Sequence, residues 1–296
     1  MSKKIKLLFL SLLVLGACLG SLKLSAEPDF DRGIYLTYNT VAFLPKKLEA
    51  LIALSEKNNI NTFVIDYTRD TNAFETNIQK VNSSKVRWIA RIVIFQDGAT
   101  WDWVNKGDYR DRVALMKKAV ALGAKGIQLD YIRFQDAGGP STKKSQKIYE
   151  IVKYYREETA KLGVSLQMDV FGATAYNKVH NIIGQDLGLL QSELDTVCPM
   201  LYPSHFYKEP NRMSNPYETY KEGIIRMKSY LDGRVRIVPY IQGFDMKLAI
   251  SGKNLKEYMR DQMKACHENG AHGWYVWNAN NDYRDLFELL ESDRDL

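Results

Sequence analysis

Charged side chains interrupt several apolar runs of this 296-residue chain: Asp66 in NTFVIDYT, Arg91 in VRWIARIVIF, Asp130 and Arg133 in GIQLDYIRF, and Asp169 in VSLQMDVFG. Paired carboxyl groups suit glycosidic bond cleavage, in which one protonates the leaving oxygen and another acts as nucleophile or as base for water. Residues two apart on a strand face the same side, so Gln128 with Asp130 and Gln167 with Asp169 repeat one inward Gln-x-Asp pattern. An unpaired buried carboxylate is costly and must find a partner or take up a proton. Arg91 and Arg133 are the available cations, although Arg133 has the opposite parity to Asp130. If an arginine holds it ionised, Asp130 suits nucleophile or base, and Asp169, in a more apolar run, suits a raised pKa and the acid role; the reversed assignment is the alternative. Asp66 and Glu209 are alternatives to either acid. The competing reading of Asp130 and an arginine is a buried ion pair that only braces the fold.

Those strands need a frame. Short apolar runs alternate with helical-period segments, the pattern of a parallel α/β sheet. Strands are expected at 32–39, 61–68, 86–95, 126–134, 164–172, 196–204, 234–244 and 272–280. Helices are expected at 45–57, 108–122, 144–162 with Gly163 as C-cap, 184–194, 217–231, 255–269 and 283–291; 71–81 holds at most a poor one. Eight such units predict a single (β/α)8 TIM barrel over 31–292. A doubly wound sheet is the runner-up, but the first strand lacks a Gly-rich phosphate turn. In a barrel the site lies at the C-terminal strand ends. That places Tyr202, Ser204 and His205 of MLYPSHF, Gln242 of YIQGF, and Trp277 and Asn278 of WYVWNANND beside Asp66, Arg91 and Arg133 as substrate contacts. Trp101 and Trp103, in the loop after the third strand, are expected to stack on sugar faces, whereas Trp88 reads as core.

The N-terminus has a lysine-led start, an apolar run from Leu7 to about Leu22 and a small-residue exit at Ala26, the layout of a cleaved signal peptide over 1–26. Leu15-Gly16-Ala17-Cys18 also resembles a lipoprotein box, so Cys18 is an alternative mature terminus and the sole expected membrane anchor. Export to the periplasm, the outer membrane as a lipoprotein, or the medium follows. Loss of the four lysines of 1–26 lowers the formal charge from +6 to +2, which removes any electrostatic case for nucleic acid. Cys198 and Cys266 make no disulfide framework, and Cys198 reads as a small buried strand residue. His180, His205, His267 and His272 show no zinc-hydrolase spacing, so no metal and no cofactor is expected.

IQLDYIRF, DVFG, PMLYPSHF, PYIQGF and GWYVWNANNDY resemble, in order, the motifs of a bacterial family of proposed glycoside hydrolases with a (β/α)8 barrel, over roughly 31–290. The resemblance implies sugar hydrolysis and carries over Asp130, Asp169, Tyr202, Ser204, His205, Gln242 and Asn278 as site residues. Members often follow DYIRF with proline, where this chain has Gln135. Strand-end glutamates on the fourth and seventh strands, common in barrel glycosidases, are missing, as is the DxxDxDxE signature of the chitinase type. The expectation is hydrolysis of a cell-envelope or extracellular polysaccharide through Asp130 and Asp169, whose adjacency in strand order favours retention. A non-catalytic carbohydrate-binding barrel is the alternative, and an oxygen-ligated metal hydrolase the third class.

Overall fold

β-Branched and aromatic runs form the strands of one curled parallel sheet in the computed structural model, which describes residues 28–296. The expected signal segment and Cys18 lie outside the described residues. The strands are β1 (Asp31–Leu36), β2 (Thr62–Asp66), β3 (Arg87–Val93), β4 (Gly126–Asp130), β5 (Ser165–Phe171), a small antiparallel hairpin of β6 (Val179–His180) and β7 (Gln185–Asp186), then β8 (Thr196–Met200), β9 (Arg236–Ile237), β10 (Tyr240–Gln242) and β11 (Gly273–Trp277). The sheet order is β10-β11-β1-β2-β3-β4-β5-β8-β9.

β9 and β10, the two ends of that order, are neighbouring stretches of the single expected seventh strand. Val238 N–H donates to the Val197 carbonyl on the β8 side at 3.0 Å, and Pro239 accepts from Tyr275 N–H on the β11 side at 3.0 Å. One segment therefore meets both edges, which gives a TIM-like α/β fold. It is divided at Pro239, which has no N–H to give the ladder.

Side-chain alternation divides the interior into two clusters. The helices cover the outer faces with Leu, Ile, Val and aromatic side chains. A smaller inner cluster holds Tyr35, Val64, Ile89, Cys198, Tyr202, Val238, Tyr240 and Tyr275. Gly33 makes room within it, because a Cβ there would lie 2.5 Å from the Tyr275 ring. Trp88 is in the outer core, as expected, with its indole N–H on Asn82 Oδ1 at 3.1 Å.

Two helix expectations are corrected. The weak segment at 71–81 is a full helix, Asn72–Asn82, capped by the Thr71 side chain and burying Phe74, Ile78 and Val81. Packing of its apolar stripe supplies what its Asn- and Thr-rich composition lacks. The helix expected at 184–194 shrinks to Leu187–Leu190. Gly184, at φ +80° and tight against the Lys144 carbonyl, turns the chain, and Gln185 enters the β6–β7 hairpin.

Candidate active site

Inward parity runs up each strand to a shared top layer. Arg91 is in register with Asp66 on β2 and Gln128 on β4, and Gln128 with Gln167 on β5. Below the acids, the Tyr240 hydroxyl donates to Gln128 Oε1 at 2.7 Å and Gln128 Nε2 donates to Gln167 Oε1 at 3.3 Å. This buried amide layer is the floor on which the Asp-bearing layer stands.

Arg91 organises that upper layer. Nη1 donates to Asp66 and Nη2 to Asp130, while Nε faces Asp169 Oδ2 at 3.6 Å, beyond hydrogen-bond reach. The guanidinium sits 5.5 Å from the Tyr35 ring and 5.2 Å from that of Trp277; the two rings stack at 3.8 Å. The Tyr35 hydroxyl donates to the second oxygen of Asp66. Three carboxyl groups thus surround one guanidinium, which they hold firmly protonated against its burial. Asp130 is further tied by its own Oδ1, which accepts from Tyr131 N–H at 2.6 Å. Asp169 is 2% exposed, and its Oδ1 has no hydrogen-bond partner among the described residues. Burial first, then the nearby Asp130, pushes its carboxyl well above the usual range, and the attraction of Arg91 does not offset them.

A cleft of about 480 Å³ opens onto this layer. Arg91, Asp130, Arg133, Asp169, Tyr202, His205 and Trp277 line it, together with Tyr131, Phe171, Gln185 and Tyr240. Tyr202 packs edge-on against His205 and Phe244, and burial raises its hydroxyl well above the ordinary value, so it remains a proton donor. Arg133 makes no ion pair with Asp130; β4 ends at Asp130 and Tyr131 turns to φ +53°, which redirects the chain. The cation that Asp130 meets is Arg91.

Other expected contacts do different work. Gln242 is fully buried, accepting from Ser204 N–H at 3.2 Å and donating to the carbonyls of Phe244 and Met246. Asn278 donates to the Gly243 carbonyl at 2.7 Å and accepts from Asn280 N–H. Both brace the loops at the mouth. Ser204 is buried beneath the rim, 1% exposed. Glu209 pairs with Arg212 in a separate surface hollow and does not line the cleft. Trp101 and Trp103 are 41% and 42% exposed, and Trp101 leans on Phe134 at 4.7 Å.

Sequence reasoning missed Tyr35, Tyr240 and Gln185. The first two follow the inward parity of β1 and β10 and were open to the argument used for Asp130. Gln185 accepts from Phe171 N–H at 2.9 Å and donates to the Asp169 carbonyl at 3.4 Å, fixing the end of β5. It fell in a segment expected to be helical, so no sequence signal marked it. Among the described residues no group of three His, Cys, Asp or Glu side chains is arranged to hold a metal ion.

The family model described as "Putative glycosyl hydrolase domain" matches residues 99–283, which include β4, β5 and β8 to β11. No curated protein matches. Among solved structures the chain is similar to the PgaB (BpsB) glycoside hydrolase domain of Bordetella bronchiseptica, at 13% identity and TM-score 0.63, over 90% of this chain and 98% of that one. The endo-beta-1,4-mannanase of Thermotoga petrophila gives 14% and 0.62, over 90% and 76%. The spore cortex-lytic enzyme SleL of Bacillus megaterium gives 10% and 0.61, over 90% and 75%. At these identities the likeness is one of fold.

Proposed function

Because this chain belongs to the family described as a "putative glycosyl hydrolase domain", we propose that it hydrolyses glycosidic bonds of a cell-envelope or extracellular polysaccharide, with Asp130 and Asp169 as the reacting carboxyl groups. The chain is exported by its N-terminal segment, either freed near Ala26 or anchored by a lipid at Cys18. Its frame is a (β/α)8 barrel in which segment 236–242 counts as one strand, and the site occupies the C-terminal strand ends, where barrel enzymes keep their chemistry.

The observation that carries the reading is the contrast between two acids that flank one guanidinium. Asp130 is bonded to Arg91, whereas Asp169 is buried, raised and only distantly approached by it. A shared guanidinium keeps the carboxyl groups close, as two-carboxylate hydrolysis requires at roughly 5–9.5 Å. Asp169 gives its proton to the leaving oxygen as the bond to the anomeric carbon breaks, and an Asp130 oxygen bonds to that carbon. Asp169, now a carboxylate, then takes a proton from water, which displaces Asp130 and releases the sugar with retained configuration. Tyr202, His205 and Trp277 line the sugar's path, and Arg91 pairs with Asp130 and holds it in place.

The test is release of reducing ends from a polysaccharide panel by wild type, Asp130→Asn and Asp169→Asn. Each variant is expected to lose about 10²–10⁴-fold in kcat/KM. In wild type, activity falls on the alkaline side as Asp169 loses its proton, and Asp169→Asn lacks that limb. Unchanged hydrolysis in both variants removes the assignment. Binding without turnover in all three proteins supports a carbohydrate-binding barrel instead.

A further inference from the structure

The cleft contains a second guanidinium that the proposed reaction does not use. Arg91 is occupied by three carboxyl groups, but Arg133 makes no ion pair among the described residues. Its Nη1 donates to the carbonyl of the next residue, Phe134, at 3.1 Å, and its Nε is buried without a hydrogen-bond partner among the described residues. The guanidinium carbon lies 4.9 Å from the Phe171 ring and 5.7 Å from that of Tyr131, two aromatic walls of the same cleft.

This placement is built. The Arg133 carbonyl accepts from Ala99 N–H at 2.7 Å, Gln135 N–H donates back to Ala99 at 3.1 Å, and Phe134 N–H donates to Ile183 at 2.8 Å. Gly98, at φ +95°, leaves space that a Cβ would deny, since it would stand 2.8 Å from Nη1. The local backbone therefore aims the side chain from three sides. A half-buried cation seated on aromatic rings, with no carboxylate paired to it among the described residues, calls for an anion, because neutral hydroxyls would leave its charge uncompensated.

The anion has to come from the ligand. The acids that line the cleft gather on Arg91, and His205 on the rim has Lys247 as its charged neighbour. Resting on the assignment of the cleft to glycan hydrolysis, we propose that Arg133 selects a sugar bearing a carboxylate, which its planar fork binds beside the scissile bond. A carboxylate fits this fork in bidentate fashion, as an ammonium point charge would not.

Isothermal titration against three probes tests it: a trisaccharide containing glucuronic acid, its carboxyl-reduced neutral counterpart, and an oligosaccharide whose carboxylate is carried on a lactyl ether. Wild type is expected to bind at least one carboxylated probe about tenfold or more tightly than the neutral one, and the arm preferred identifies the source. In Arg133→Gln the preference disappears while neutral binding persists. Arg133→Lys keeps the charge without the fork and serves if the glutamine variant fails to fold; it is expected to lose most of the preference. Equal affinity for all three probes in wild type, or a preference undiminished in the folded variants, overturns the proposal. A carboxylate preference without hydrolysis of any glycan would overturn the reaction alone; hydrolysis of neutral and acidic glycans alike would overturn only the role of Arg133.

Discussion

Asp169 is buried next to a guanidinium already bonded to Asp66 and Asp130, so desolvation outweighs the remaining attraction and its carboxyl is raised. A raised carboxyl favours the folded state fully below its unfolded value and loses that contribution as pH rises through the folded one. Asp169→Asn is therefore expected to melt at a higher temperature than wild type at about pH 9, with the gap closing toward about pH 4. Thermal melts across that range check it, and a gap that widened at low pH would contradict the burial account. The same three-acid cluster serves the fold and the proposed chemistry at once. Arg91 braces β2, β3 and β4 while positioning the acid proposed to attack.

Loops as well as strands set where the cleft's side chains point. The segment after β4 is strapped by Lys144, at the start of helix Thr142–Leu162, whose ammonium donates to the carbonyls of Ala137 and Ile182 at 2.7 Å and of Gly139 at 3.1 Å. Lys144 is 4% exposed, so its ammonium depends on these carbonyls for its hydrogen bonds. Lys144→Met is expected to cost about 2–3 kcal/mol, the scale of hydrogen bonds to a charged group, and to speed proteolysis between 135 and 141. Limited digestion with mass mapping reads this directly; cleavage as slow as in wild type would assign the strap no role. At this scale the sequence was uneven. Helix 142–162 announced itself through its apolar spacing and Gly163, at φ +68° in the C-cap. Helix 72–82 and hairpin 179–186 did not, because both depend on partners distant in the chain.

Across the molecule, the two ends of the strands carry charge to different purposes. At the N-terminal end Asp31, fully buried, accepts from Arg87, from Arg236 at 2.8 Å and from Thr62 at 3.0 Å. Its position away from the mouth makes it a closure device, since it joins β1 to β3 and to the divided seventh segment. Asp31→Ala is expected to lose about 3 kcal/mol of stability by removing the fully buried carboxylate that two part-buried guanidinium groups share. Denaturant titration measures that loss, and kcat/KM per folded molecule should be unchanged. A loss of activity at full folding would place Asp31 in the machinery of the site.

By itself the sequence determined the two-residue alternation that turns Asp66, Arg91, Asp130 and Asp169 inward, and the order of strands and helices that makes a curled parallel sheet. Both are local properties, carried by side-chain period and by turn residues. Which cation meets which acid was decided only by tertiary structure, because it depends on inter-strand register and on curvature. Register sets Arg91 level with Asp66 and within reach of Asp130 and Asp169. The left-handed turn at Tyr131, with backbone bonds to Ala99 and Ile183, carries Arg133 away from Asp130 and into the cleft as a separate charge.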